Sequence, residues 1–184
     1  MNVAIVTEGL HPATELALEG LQWLDEHAGD DFRKVLDMGC GNGILAITVA
    51  DIWDAQLVAA DISPKAVEDT LNNVAEHGFE GRVTALRSDG FSHPSIRKQA
   101  PYDLILFNLL AEPVVAMSLD VKSHLKEGGI VLTGGILEWK AAEVAACYRH
   151  LGFEILMEIA RTPWHLYILR KLPSDGKNHT VTKT

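Results

Sequence analysis

The chain is 184 residues long and 47% hydrophobic, and its 25 acidic against 16 basic side chains give a formal net charge of −9. That length suits one domain with a real core, and the acidic balance argues against holding nucleic acid by charge alone while suiting a basic protein partner. No apolar run approaches the roughly 18–20 residues of a membrane span, the eight histidines show no metal-like clustering, and two cysteines without metal spacing or a secretory leader predict a reducing cytoplasm.

In chain order, a short apolar run at Val3–Val6 precedes a helix for which Pro12 suits the first turn. Leu16, Gly20, Leu21, Leu24 and Ala28 form its apolar stripe, and Gly29-Asp30-Asp31 is expected to end it. Lys34–Met38 reads as a first strand, followed by the turn Gly39-Cys40-Gly41-Asn42-Gly43 and a helix carrying Ile44, Ile47, Thr48 and Ile52. A second strand spans Gln56–Asp61. Ser63-Pro64 then supplies an N-cap and first-turn proline for a helix ended by His77-Gly78. Val83–Arg87 is a third strand, with Ser88-Asp89-Gly90 at its end.

Tyr102–Phe107 is nearly continuously apolar, as a strand covered on both faces should be. Asn108-Leu109-Leu110-Ala111-Glu112-Pro113 follows, with Pro113 expected to open a helix reaching about Leu125. Ile130–Thr133 predicts a fifth strand, and Leu137–His150 a helix stopped by Gly152. Phe153–Ala160 and Trp164–Arg170 read as a strand pair, and the polar segment 173–184 as a disordered tail. The alternation predicts an α/β, Rossmann-like domain over residues 1–172 with helices on both faces.

Asp37 and Asp61 each close an apolar strand and stand 24 residues apart, a spacing suited to an acid that reaches a nucleotide ribose. The glycines run Gly39-x-Gly41-x-Gly43, and Ile44 occupies the position where a dinucleotide turn needs its third glycine. The P-loop pattern is absent. An acid followed by this glycine spacing resembles the first motif of class I S-adenosylmethionine methyltransferases, whose cofactor lacks phosphate and needs close main chain and carboxylates instead.

More narrowly, the chain resembles the catalytic domain of the PrmA-type ribosomal-protein lysine methyltransferase family. The residues that carry the likeness are His11-Pro12-x-Thr14, Asp37-x-Gly39-Cys40-Gly41-Asn42-Gly43-Ile44-Leu45-Ala46, Asp61-Ile62-Ser63-Pro64, Asn108-Leu109-Leu110-Ala111-x-Pro113 and Gly134-Gly135-Ile136-Leu137. The likeness covers roughly residues 7–171, and Asn108–Pro113 is its discriminating part. It departs at Ser63, where the family has a second aspartate, and at Thr7–Leu10. The separate N-terminal substrate-holding domain of the family is not expected in this chain.

The resemblance implies a seven-stranded, mostly parallel sheet with an antiparallel last strand and a cap helix before it. It implies S-adenosylmethionine as cofactor and methyl transfer to an amino nitrogen, a protein lysine or α-amine. Asp37 would take the methionine ammonium. Gly39, Cys40, Gly41 and Gly43 would wrap the cofactor, and Asp61 with Ile62 would hold the ribose. Ser88, Asp89 and Gly90 would flank adenine, while His11 and Thr14 would contact the carboxylate or close the site. Asn108 and the Leu109 carbonyl would accept from the substrate amine and are the candidate catalytic groups.

Each residue also has a plainer structural reading: turn aspartates at Asp37 and Asp89, an N-cap at Asp61, a cap at Asn108, and core packing for Trp139 and Trp164, which would otherwise line the substrate mouth. A base- or amide-directed methyltransferase would carry Pro-Pro-aromatic where Leu109-Leu110-Ala111 stands. Small-molecule methylation, a nicotinamide oxidoreductase and a non-catalytic cofactor-binding subunit complete the alternatives. The expected partner is a protein, basic or ribosomal, or a small molecule, with no membrane, nucleic acid unlikely and oligomeric state open.

Overall fold

The computed structural model describes residues 9–28 and 32–173. The apolar run at 3–6, the helix stop at 29–31 and the 174–184 tail lie outside the described residues. The elements are α1 (Pro12–His27), β1 (Lys34–Met38), α2 (Ile44–Ile52), β2 (Gln56–Asp61), α3 (Pro64–Glu76), β3 (Val83–Arg87), α4 (Pro94–Gln99), β4 (Tyr102–Asn108), α5 (Ala111–Ala116), α6 (Ser118–His124), β5 (Leu125–Leu137), α7 (Glu138–His150), β6 (Phe153–Arg161) and β7 (Trp164–Lys171).

One sheet runs in the order β3-β2-β1-β4-β5-β7-β6. The first five strands are parallel, and β7 runs antiparallel to both β5 and β6. The expected seven-stranded, mostly parallel sheet is therefore present. Alternate side chains feed two cores. Val35, Leu57, Leu104, Leu106 and Leu132 meet the apolar faces of α1 and α2 on one side. Leu36, Val58, Ile105, Phe107 and Val131 meet α5, α6 and α7 on the other. Tyr102 and the run Leu104–Phe107 in β4 are wholly buried. Each such side chain contributes roughly 1.5–3 kcal/mol, so the middle of the sheet is also its firmest part.

Several expectations need correction. The helix read from Pro113 to Leu125 starts earlier, at Ala111, and breaks at Met117 into α5 and α6. Strand five begins at Leu125 rather than Ile130: Leu125 pairs with Tyr102, then the register shifts and Ile130 pairs with Leu104. Gly128 and Gly129 sit inside this strand rather than before it, because the shift accommodates them. The segment 90–99 folds into a 3-10 turn and α4, neither expected. Trp139 is 71% exposed and takes no part in the core, whereas Trp164 is half-buried against it.

Candidate functional site

The connections from β1 lead outward to β2 and β3, while β4 and β5 lie on its other side. In an open α/β sheet this reversal leaves a crevice beyond the carboxyl ends of the strands. A cavity of about 680 Å³ lies there. Gly39 after β1, Asp61 and Ile62 at the end of β2, Ser88, Asp89 and Gly90 after β3, and Leu109 after β4 all line it.

Gly39 illustrates why this turn has its composition. Its φ is +80°, and a Cβ there would come 2.6 Å from Leu109 Cδ2, so a larger residue meets both backbone strain and a side chain. The Gly39 and Cys40 N–H groups both donate to the Ala60 carbonyl, tying the turn to β2. The Gly41 N–H donates to Asp61 Oδ2 at 3.1 Å, and the Ser63 N–H to Asp61 Oδ1 at 2.9 Å. Asp61 therefore braces two turns while facing the cavity. It does not cap α3; Ser63 does, through its Oγ and the Ala66 N–H.

Asp37 is 1% exposed, and neither carboxylate oxygen has a hydrogen-bond partner. Burial pushes its carboxyl up to about 7. The Ala46 N–H in the first turn of α2 opposes that rise without closing a hydrogen bond, and the Asp61 charge adds to it. A buried, orphaned carboxylate is costly, and an ammonium donor is the natural group to satisfy it.

Asn108 stands at the end of β4, one strand over from Asp37. Its Nδ2 donates to Thr14 Oγ1 of α1 at 3.1 Å, and its Oδ1 is buried without a partner. The following peptide is fixed by β5. The Leu109 N–H donates to the Gly134 carbonyl at 3.2 Å. Gly135, with φ +74°, lets that peptide lie so close that a Cβ would come 2.8 Å from the Leu109 oxygen.

The remaining expected site residues are placed differently. His11 caps α1, its Nδ1 accepting from the Ala13 N–H at 3.2 Å, and its ring meets Trp164 edge-on at 4.9 Å. Cys40 is buried with Sγ 3.3 Å from Thr70 Oγ1, and burial pushes its thiol up to about 12. Both side chains are committed elsewhere, and neither lines the cavity; nor do Gly41, Gly43, Thr14, Asp37 or Asn108, the last two lying one residue before Met38 and Leu109, which do. Sequence reasoning missed the cavity's far wall, where Phe91, Arg97, Met117, Asp120 and His124 gather from the 3-10 turn, α4 and α5–α6. The 3-10 turn, α4 and α6 carry no local motif.

A family model for ribosomal protein L11 methyltransferase (PrmA) matches residues 6–171. The chain belongs to this family. Relatives within the PrmA family include the ribosomal protein L11 methyltransferase of Brucella suis, 34% identical over 71% of this chain and 46% of that protein. That of Herpetosiphon aurantiacus is 32% identical over 89% of this chain and 54% of that protein. The chain thus spans about half the length of the curated relatives it matches. Among solved structures, a ribosomal protein L11 methylase from Lactobacillus delbrueckii subsp. bulgaricus superposes with a TM-score of 0.78 at 26% identity, covering 89% of this chain and 80% of that one. Among the described residues, no helix is long and apolar enough to cross a membrane, and no group of metal-binding side chains occurs.

Proposed function

We propose that this chain forms the catalytic part of an S-adenosylmethionine-dependent methyltransferase acting on an amino nitrogen of a protein, with a ribosomal protein as the acceptor. The observation that carries the reading is the set of three buried, unpartnered oxygens at neighbouring strand ends: both of Asp37 and the Oδ1 of Asn108. Neither residue lines the cavity itself; each directly precedes one that does, Met38 after Asp37 and Leu109 after Asn108, and the cavity wall carries Asp61 and Asp89. Acceptors without donors call for a ligand rich in N–H and O–H groups and bearing positive charge. Family membership narrows that ligand to a nucleoside carrying an amino acid through a sulfonium, S-adenosylmethionine.

Asp37 would hold the ammonium, Asp61 the ribose hydroxyls, and the Ser88–Gly90 loop the adenine edge. When bound, the cofactor supplies a methyl on a sulfonium centre, an intrinsically good leaving group. The chain's own task is then positioning. Asn108 Oδ1 and the Leu109 carbonyl accept the two N–H bonds of a neutral amine and leave its lone pair free to face the methyl. Orientation of this kind supplies several kcal/mol of acceleration, on the order of 7–11 in the best cases. The apolar surface of Leu109 excludes water and, by desolvation, lowers the pKa of an incoming lysine so that it arrives neutral.

Titration calorimetry with S-adenosylhomocysteine and a tritiated-methyl transfer assay on ribosomal protein L11 test the reading. Tight binding that Asp61→Ala weakens, together with label on an amine of the acceptor, is the expected result. Absence of binding, or label on RNA or on small molecules alone, overturns it.

A further inference from the structure

The cavity runs on past the groups assigned to the nucleoside. Gly90 closes the base end of that set, and a Cβ there would come 3.2 Å from Met117 Sδ. Met117 heads a row along α6: Asp120 follows three residues later and His124 four after that, so the three share one helix face. All three line the cavity. From Met117 to His124 the row spans roughly 10 Å of helix. Phe91 of the 3-10 turn bounds the same stretch, its ring 4.9 Å from that of His124, and Arg97 of α4 lines it as well. Asp37 and Asn108, proposed to meet the amino-acid end and the acceptor, lie outside the lining, so neither accounts for the extra length.

The wall of this stretch has a definite hydrogen-bonding sense. His124 Nδ1 lies 2.8 Å from the Asp120 carbonyl oxygen. A carbonyl can only accept, so Nδ1 carries the proton and Nε2 of the neutral ring is left as an acceptor. Ser123 Oγ donates to the same carbonyl at 2.9 Å, which leaves it no proton to offer Nδ1. Among the described residues, neither Nε2 nor the Asp120 carboxylate has a hydrogen-bond or ion-pair partner, and the Arg97 guanidinium has none either. Past an apolar stretch of Phe91 and Met117, α6 therefore presents two acceptors in need of a donor.

We infer that this stretch is a second compartment, continuous with the base site, that accepts a substituent on the 6-amino nitrogen of an adenosyl ligand, apolar next to the base and ending in a neutral hydrogen-bond donor. The inference rests on the S-adenosylmethionine reading above. A singly substituted amino nitrogen keeps one N–H for Asp89 and sends its chain past Gly90. Met117 and Phe91 cover the chain. Asp120, about 4.5 Å along α6 from Met117, and His124 Nε2 receive the terminal O–H. The Arg97 charge offsets that of Asp120, so a hydroxyl suits the compartment better than an ammonium.

Titration calorimetry on the full chain compares three probes: S-adenosylhomocysteine, its N6-propyl derivative and its N6-(3-hydroxypropyl) derivative. The hydroxypropyl probe should bind within about tenfold of S-adenosylhomocysteine and roughly tenfold tighter than the propyl probe, the size expected for a hydrogen bond to a charged group. Asp120→Leu removes one acceptor, and His124→Phe removes the other while keeping a ring against Phe91. At least one of these variants should lose the preference for hydroxypropyl over propyl, with S-adenosylhomocysteine affinity within about threefold of the parent. A hydroxypropyl probe bound more weakly than that tenfold margin shows the compartment closed and overturns the inference, as does a preference that is missing in the parent or survives in both variants. If the parent binds none of the three probes, the cofactor reading falls and the compartment with it; if it binds S-adenosylhomocysteine alone, only the compartment falls.

Discussion

Asp37 is a carboxylate buried at a strand end with its charge opposed by its surroundings. Its pKa lies near 7 in the folded chain against 3.8 for an ordinary aspartate. Over that window the native state holds a proton that the unfolded chain has released. Stability is therefore fully present below the unfolded value and falls as pH rises toward 7, by about 4 kcal/mol at most. Thermal unfolding of the ligand-free protein should reveal this decline, and Asp37→Asn should flatten it and raise Tm at pH 8. An equal slope in the variant would place the titrating group elsewhere. A ligand ammonium needs the ionised form, so S-adenosylhomocysteine binding at pH 6 should release about one proton, measurable by calorimetry in buffers of different ionisation enthalpy. Asp61 is expected to behave otherwise. Its removal breaks contacts to two turns and should cost roughly 10- to 100-fold in S-adenosylhomocysteine affinity, the worth of a charged hydrogen bond. At this scale the strand-end acids were legible, because an apolar run stopped by a carboxylate is a local pattern. The Thr14–Asn108 contact was not, since its partners are 94 residues apart in sequence. The capping role of His11 went unread although its demand is local: the N–H two residues ahead needs an acceptor.

Among the elements, the Gly134–Gly135 step in β5 does most to hold the 108–109 peptide, the proposed acceptor end of the site. Pairing with β7 shifts register there, between Thr133 and Ile136, and the freed segment cradles the 108–109 peptide. Gly135→Ala must place a Cβ against the Leu109 backbone at positive φ. It should destabilise by about 1–3 kcal/mol and reduce kcat far more than S-adenosylhomocysteine affinity. Gly78→Ala, just after α3, is the control: φ is also positive, but a Cβ there meets nothing within 4 Å, so about 1 kcal/mol of backbone strain is expected without loss of kcat. Chemical denaturation and steady-state kinetics on the two variants separate the cases. Strands β1 to β4 were readable because each is a short apolar run between turn residues. The true span of β5 was not. Gly128 and Gly129 look like a boundary, and only pairing with β4 across the register shift keeps them in the sheet. The break at Met117 was hidden for a similar reason, since nothing local forbids one long helix across 111–124.

For the molecule as a whole, the net charge of −9 makes a prediction about the proposed basic acceptor. Long-range attraction accelerates encounter and is screened by salt. KM for ribosomal protein L11 should therefore rise steeply between about 50 and 300 mM salt, near where the Debye length drops below 10 Å, while kcat changes little. A flat KM would mean that charge plays no part in docking. Overall architecture was the most legible level, because alternating strand and helix patterns admit few arrangements once crossovers are right-handed. What stayed hidden was the far wall of the cavity, assembled from four short elements whose only common property is where the sheet delivers them.

The strand order also dictates a timetable. As the polypeptide leaves the ribosome, β2 and β3 can join β1 soon after they are made, but the opposite flank of β1 waits for Tyr102–Asn108. The cradle for Asn108 arrives later still, with Gly135. β7, the final strand to emerge, must slide in between two that precede it, β5 and β6. Until it does, β5 presents an open, strongly apolar margin of the kind that pairs with other nascent chains. Translation that stalls short of Trp164 would thus leave a sticky, ligand-blind intermediate for chaperones to guard.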